Sequence, residues 1–484
     1  MDIYKSIQET LWKSSINIPV GDIYDMIEIW KSWYRGNVND FHYYNVQLAD
    51  GTTTECEMLT LNMAKKISED FQKLLWSEKV KISLDDEKKT KQLWTVLDNK
   101  KNNFSIMFPQ FIEKVFALGT GATIEYKDQD QIMIDYIDAD LIIPYSYQNG
   151  VVTDMIVIDQ FKEGKVCYTH LTYHDYKDGI YEVRHELYKS KDSSTLGKLV
   201  SFEEKFPKVK NPYKIQTSTP HFQILRPNIV NNFDLNSPMG LSIFANHIDK
   251  LKAIDKKYDS FTNEFDMGKK RILVDKSALR KNIVADNEGN ISNVSYFDRN
   301  DKVYQAINGM EMQPIKEIDF NLRHQEHIES INAELNYLSA GVGLGQNYYS
   351  FDGVSMKTAT EVISENSDTY RAKCNHQIMI KDLLYDLIVV ICELQNIEFK
   401  EIKIEFDDSI IEDENTKREK AQIEVDKGLL SKKSYLMKYK GMTEKEAEEE
   451  LQRINEENKI IMPESIDLMN GEEEETPEAE EDEE

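Results

Sequence analysis

Cysteine is scarce: Cys56, Cys167, Cys374 and Cys392 are the four in 484 residues, and none is spaced as a pair. This excludes a disulfide framework and a cysteine zinc site, and it suits a reducing compartment. Apolar runs are short. None reaches the ~18 residues of a membrane span, so no transmembrane helix is expected. The opening MDIYKSIQETLWKS has no basic region followed by an apolar one, so no secretory signal is expected. Positive charge is also in deficit, with 59 Lys and Arg against 87 Asp and Glu and a net charge of −28. A protein that grips nucleic acid shows a basic footprint, which this chain has only locally. A negative wall suits instead a channel along which DNA slides without sticking.

Catalytic motifs are lacking too. The string Gly341-Val342-Gly343-Leu344-Gly345 follows a helical pattern and precedes about ten loop residues, whereas a dinucleotide loop sits between a strand and a helix. No G-K-[ST] occurs, which excludes a P-loop. His324-Gln325-Glu326-His327 departs from the H-E-x-x-H spacing, and a solvated helix face is expected there. Asp135, Asp138 and Asp140 fit the solvent side of alternating strands, without the glycine of a calcium loop. His170, His174 and His185 are expected as exposed strand residues. No catalytic residue, metal site or cofactor is expected.

What is present is a mixed platform followed by a helical stretch. Apolar residues at helical spacing predict helices over 20–35, 57–77 and 103–119, with a charged helix over 84–100. Residues between the first two read as a polar loop. From Ala122 to Tyr188 the period becomes two, and six strand candidates follow: ATIEY, QIMIDYID, LIIPY, MIVIDQ, VCYTHLTYH and IYEVRHELY. Residues 189–237 read as a connection with one or two further strands, such as HFQILRP. Ser237-Pro238 reads as an N-cap and first helical residue. The stripe of Leu241, Phe244, Ile248, Leu251, Ile254, Tyr258, Phe261 and Phe265 then predicts a helix about 40 Å long that needs a partner. A second stripe, Ile318, Leu322, Ile328, Ile331, Leu335 and Leu338, predicts that partner over 317–340, packed antiparallel.

Between the two lies a β-rich insert with Lys269, Lys270, Arg271, Lys276, Arg280 and Lys281 against Asp275 alone over 269–284. It reads either as a solvated hairpin or as a docking surface for an acidic partner or DNA backbone. A flexible glycine loop and a helix over 355–396 follow, the latter polar in its first half and apolar in its second. A strand over 401–411, helices over 414–427 and 431–440, and a capping box Thr443-x-x-Glu446 close the ordered pattern. The last 13 residues carry ten acids and no base, a disordered composition.

This succession resembles the portal proteins of tailed double-stranded-DNA bacteriophages, particularly a siphophage group. The resemblance rests on Trp33 to Gly36 (WYRG), FIEKVFALGTGATIEY (111–126), NSPMGLSIF (236–244), the glycine loop before MKTATEVISENSDTY (356–370), and GLLSKKSYLMKYKGMTEKEAEEELQRI (428–454). It implies an α+β, predominantly helical portal fold. In that fold residues 1–237 and 357–408 are the wing, 238–267 and 317–340 the stem, and 268–316 the clip. Residues 341–356 are the tunnel loop, 409–470 the crown and 471–484 an acidic tail. It further implies a homo-oligomer, a dodecameric ring at one capsid vertex of the virion, assembled in the host cytoplasm. Its partners are the terminase large subunit, the head–tail connector or adaptor, the major capsid and scaffolding proteins, and double-stranded DNA passing without sequence specificity. Gln346, Asn347, Tyr348, Tyr349 and Lys357 would face the DNA, and the six basic insert residues would dock the motor or connector, or pair with a neighbouring subunit. A nuclease or helper ATPase is disfavoured because no carboxylate cluster or Walker loop exists. An adaptor or scaffold that forms no ring is the remaining alternative.

Overall fold

The structure is a computed structural model, and it describes residues 2–12, 23–47, 51–77, 80–268, 271–275, 281–285, 291–295, 304–307, 315–318, 321–351, 359–406 and 421–461. The chain divides into two compact units, Met1–Asp407 and Asp408–Glu484. The class is α+β. In the first unit, helices α1 (Asp2–Trp12), α2 (Ile23–Tyr34), α3 (Asn39–His42), α4 (Met63–Leu75), α5 (Glu87–Leu97) and α6 (Phe104–Leu118) precede the main strands. Tyr43–Gln47 (β1) and Thr53–Glu57 (β2) form an antiparallel hairpin where a polar loop was expected, and Lys81–Leu84 (β3) lies between α4 and α5. The Asp50-Gly51 dipeptide was its sequence signal.

The core gathers around α4 and α6. Phe71 stacks on Phe116 with centroids 5.5 Å apart, Phe104 on Phe108 at 4.7 Å, and Trp76 packs edge-on to both Phe104 and Phe108. Such offset and T-shaped geometry adds to area burial. Trp30 and Trp33 of α2 are buried in the same core.

The period-two region folds as read, with longer strands. β4 (Gly121–Asp128) pairs with β5 (Gln131–Asp138), and β12 (Phe222–Leu225) adds on the other side of β4. A larger antiparallel sheet runs β10 (Lys198–Val200), β9 (Ile180–Ser190), β8 (Val166–Lys177), β7 (Val151–Glu163), β6 (Ile142–Gln148), with β11 (Tyr213–Gln216) also on β9. One face buries Ile156, Ile158, Leu171, Tyr173 and Tyr188 in the main core. The opposite face carries Phe161, Tyr168, His170, Thr172 and His185, covered by the short helix α7 (Phe202–Lys205).

The histidines depart from expectation. His170 and His185 stack at 5.2 Å with ring nitrogens 3.1 Å apart, and Phe202 lies 4.8 Å over His185. Burial pushes both down to about 4. His174 is buried against the Tyr181 hydroxyl at 2.6 Å, and burial takes it to about 3. Aromatic neighbours, which alternation alone does not reveal, cover all three. Two of the aspartates are ion-paired, Asp138 to Lys114 and Asp140 to Lys31. Among the described residues no group of three or more His, Cys, Asp or Glu side chains could hold a metal.

The expected helix start at Ser237-Pro238 is not formed. Residues 238–244 are irregular, a short 3-10 turn follows over Ala245–His247, and α8 runs Ile248–Met267. The backbone groups a helix would need are committed elsewhere. The Pro238 carbonyl accepts from Arg226 Nη1 (2.7 Å) and the Met239 carbonyl from Asn231 Nδ2 (2.9 Å). Gly240 N–H donates to Thr120 Oγ1 (2.9 Å), and Ile243 N–H to the Phe116 carbonyl (2.9 Å). Gly119, at φ +85°, and Gly240 meet backbone to backbone; a Cβ on Gly119 would lie 2.7 Å from the Leu241 carbonyl carbon. Thus FALGTGA and NSPMGLS are two sides of one junction, a close approach only glycine permits.

The second helix of the pair also starts late. Ile315–Ile318 is a strand, and α9 is His324–Gly341, so Ile318 and Leu322 lie outside the helix. The long helix α10 spans Ala359–Gln395, and its apolar half buries Ile380, Leu383, Leu384, Leu387, Ile388 and Val390 to Cys392, while Ile378 and Tyr385 stay exposed. Ile402–Glu405 pairs with Lys81–Leu84. In the second unit, residues 421–426 are helical, α11 is Lys432–Lys440 and α12 is Glu444–Ile461. The capping box is present: Thr443 N–H donates to Glu446 Oε2 (2.8 Å) and Glu446 N–H to Thr443 Oγ1 (3.4 Å). The acidic tail and residues 407–420 lie outside the described residues.

Two stability predictions follow from the core. Glu125 is 1% exposed, and neither carboxylate oxygen has a hydrogen-bond partner among the described residues. Burial, with a smaller contribution from the Asp386 charge, raises it from 4.5 to about 8. The folded state therefore holds the proton more tightly, and wild-type stability falls as pH rises from about 4.5 to about 8. Glu125→Gln should flatten that dependence and gain up to roughly 4 kcal/mol at pH 8, with little change near pH 5; urea unfolding across pH checks this. Gly240→Ala would drive a Cβ into the Gly119 carbonyl. It should cost about 1–3 kcal/mol by the same measurement.

Candidate functional site

The basic insert and the glycine loop are both carried by the pair α8–α9. Glu264 accepts from Arg323 through Nε (3.1 Å) and Nη2 (2.8 Å), and Lys257 reaches Glu334 (2.8 Å) and the Ser330 carbonyl (3.2 Å). These contacts run in opposite directions along the two helices, so the pair is antiparallel. Arg323 holds Glu264 down at about 2, and His327 Nε2 lies 3.6 Å from the same carboxylate. His327 also packs on Phe261, with centroids 5.6 Å apart. It belongs to the seam of the pair rather than to a solvated face.

Burial is graded along the seam. Leu251 is 2% exposed, Ile254 is fully buried, Tyr258 and Phe261 are half-buried, and Phe265 is 47% exposed. The buried end is fastened by a carboxylate. Asp255, 3% exposed, accepts from Leu61 N–H and Thr60 Oγ1 (both 2.9 Å) and meets His42 Nε2 at 3.1 Å. Val38 N–H donates to His42 Nδ1 (3.0 Å), so Nε2 bears the proton directed at Asp255. Burial raises the Asp255 carboxyl, and its hydrogen bonds oppose that rise. One turn on, Asp259 accepts from Leu59 N–H at 3.1 Å. This capture of 59–61 explains why α4 begins at Met63 and not near residue 57. Spacing on the stripe gave no signal for either aspartate.

The insert consists of short strands. Arg271–Asp275 pairs in parallel with Tyr304–Ile307 and antiparallel with Ile315–Ile318, and Lys281–Ala285 pairs with Ile291–Ser295. Arg271 and Lys281 thus stand on strands of two different sheets, one of three strands and one of two. Lys269, Lys270, Lys276 and Arg280 lie outside the described residues.

The glycine loop is held at several points over 341–351. Leu344 N–H donates to the Ser339 carbonyl (2.9 Å), Gly345 N–H to Thr369 Oγ1 of α10 (3.3 Å), Tyr349 N–H to Ser339 Oγ (3.2 Å) and Phe351 N–H to Asn332 Oδ1 (2.7 Å). Asn347 takes a positive φ of 61°. A loop expected to be free is therefore tethered to both flanking helices. Gln346 and Asn347 are exposed and Tyr348 is 39% exposed. Tyr349 is 7% exposed and lies in the hydrophobic core, so it presents no surface and anchors the loop. Burial, followed by the Asp70 charge, raises its phenol far above the ordinary range. Lys357 lies outside the described residues.

Helix α10 ties this assembly to the platform. Asn228 Nδ2 donates to Asn375 Oδ1 (2.9 Å), Asn228 N–H donates to His376 Nδ1 (3.0 Å), and Glu393 accepts from Thr217 Oγ1 (2.5 Å). His376 stands edge-on to Phe71 and Phe116.

The family model "Phage portal protein, SPP1 Gp6-like" matches residues 22–464. Solved structures that match the chain include the neck of an empty GTA particle computed with C6 symmetry, at 12% identity and TM-score 0.43 over 85% of this chain and 92% of that one. The virion of a native GTA particle and the neck of a native GTA particle computed with C12 symmetry are similar at TM-score 0.39, with 11% and 10% identity. Each covers 77% of this chain and 87% of its own. No curated protein matches the chain.

Asp255→Ala should remove the acceptor of three donors at the stalk base. We expect a loss of about 3 kcal/mol, because a buried partner set is left unpaired, read by urea unfolding. Leu59→Ala, at an exposed side chain, should leave stability within about 0.5 kcal/mol.

Proposed function

The chain belongs to the SPP1 Gp6-like phage portal protein family, and we propose that it assembles as a dodecameric ring at one capsid vertex. The ring is the channel for DNA packaging and ejection. The observation that carries this reading is the antiparallel pair α8–α9, which bears the insert at one end and the tethered loop at the other. Within that reading the stem is 248–267 and 324–341. The insert between them is the clip, which docks the terminase large subunit during packaging and the head–tail connector afterwards. Residues 1–237 and 357–408 form the wing, and residues 409–470 the crown. Exposed Gln346, Asn347 and Tyr348, with Lys357, face the DNA.

The role is mechanical, not enzymatic. The chain's net charge of −28 supports a lumen that repels the phosphate backbone and lets it slide. Apolar side chains left open on the stem pair, Phe265 at 47% and Tyr337 at 66% exposure, would be covered by neighbouring subunits in the ring.

Negative-stain imaging and light scattering should show rings of many subunits with a central hole. A monodisperse monomer under all conditions would overturn the reading in favour of a non-ring adaptor. Deletion of residues 409–484 should leave clip and stem in place and alter the assembly. Rings identical to the full chain's would exclude a crown role in assembly.

A further inference from the structure

The outward face of the large sheet carries a second basic surface, separate in sequence from the clip insert. Over residues 189–210 six lysines meet three acids, and no arginine occurs. Lys189, Lys191 and Lys198 are exposed, as are Lys208 and Lys210, and none of them has an ion pair among the described residues. Several nearby acids have partners: Asp192 accepts from the backbone and hydroxyls of Ser194 and Thr195, Glu203 from Ser201 Oγ, and Glu163 pairs with Lys205. Asp159 and Glu204 are exposed on the same side, so lysines outnumber acids there only locally.

One register position makes the arrangement costly for the isolated chain. Lys198 of β10 stands directly opposite Lys189 of β9. Like charges at directly opposed positions destabilise an antiparallel pair, and an anion lying across them removes that cost. Beside them the face is lined with rings: Phe161 stacks on Tyr168 (5.2 Å), Phe206 lies 5.9 Å from His170, and the Lys205 ammonium sits 4.8 Å over the Tyr168 ring. From β7 to β10 this surface crosses three strand gaps, about 14 Å. The turn residue Lys165 extends it at the same end of the sheet.

We propose that this sheet face is a sequence-independent docking surface for the phosphate backbone of duplex DNA. The composition decides the partner class. Ammonium groups are point charges on flexible stems that suit scattered phosphates, whereas guanidinium forks suit planar, bidentate recognition. The occupant would be DNA lying against the outside of the protein, not the strand in the channel. The contact goes beyond the portal reading and does not depend on the tunnel loop. With the rest of the chain strongly acidic, binding is confined to low ionic strength.

The test is fluorescence anisotropy of a labelled mixed-sequence duplex with the full-length assembled protein. With about four phosphates neutralised, affinity should fall about a hundredfold between ~50 and ~200 mM KCl. The variant Lys189→Gln/Lys198→Gln/Lys208→Gln/Lys210→Gln should lose most of the binding at ~50 mM and nearly all of the salt slope. It should assemble as the wild type does by light scattering. A parallel variant with Lys269 and Lys270 changed to Gln should keep the binding. No binding by the wild type at ~50 mM, an unchanged quadruple variant, or loss confined to the Lys269/Lys270 variant would each overturn the proposal. So would polyglutamate bound at least as tightly as the duplex, which would assign the face to an acidic protein segment. Rings with no DNA bound by this face would leave the portal reading standing, whereas absence of rings bears on that reading alone.

Discussion

One buried carboxylate holds the stalk to the platform. Asp255 sits on the apolar side of α8, where a charge costs several kcal/mol unless its hydrogen bonds are met. They are met from outside the helix, by the backbone of Leu61, the hydroxyl of Thr60 and the ring of His42. The cost of desolvation is thus converted into a positional constraint: α8 can pack only where those donors are. The start of α4, the base of the β1–β2 hairpin and the orientation of α3 all follow from that one placement. Among the described residues nothing comparable fastens the far end of the pair, where Glu264 meets the exposed Arg323 in an ion pair that contributes little.

A second constraint works without charge. At the junction of α6 and β4, two backbones approach until no side-chain carbon fits between Gly119 and Gly240. Hydrogen bonds from Gly240 and Ile243 then replace the ones a helix would have provided. The segment that threads from the sheets into the stalk is therefore rigid although it has no regular structure. This is why a Ser-Pro dipeptide that locally favours a helix start does not make one.

Much of the architecture was legible because period and composition carried it. The switch to period two at Ala122, the apolar half of α10 and the Thr443–Glu446 capping box fold as read, and the stripes of α8 and α9 do so from Ile248 and Ile328 onward. What was hidden depended on long-range partners. Asp255 and Asp259 look like solvent positions on a charged helix until residues 59–61 are brought to them. His174 and Tyr349 look like surface residues until other elements cover them. The loop after Gly341 looks free because its tethers, Ser339, Asn332 and Thr369, are small polar side chains with no pattern of their own. The lysines over 189–210 read as a linker because their significance lies in register, with Lys189 facing Lys198, and register is a property of two strands.

The tethers of that loop fall on two different bodies. Ser339 and Asn332 belong to the stalk, and Thr369 belongs to the long helix that runs back into the platform. The loop is thus a bracket closing the angle between two levers. Neither lever can swing without stretching the Gly345–Thr369 bond or the Tyr349–Ser339 bond. A force applied to the exposed Gln346–Tyr348 crest is divided between stalk and platform, and a rotation of either one is displayed at the crest. The crest is thus mechanically coupled to both, although its own backbone is irregular.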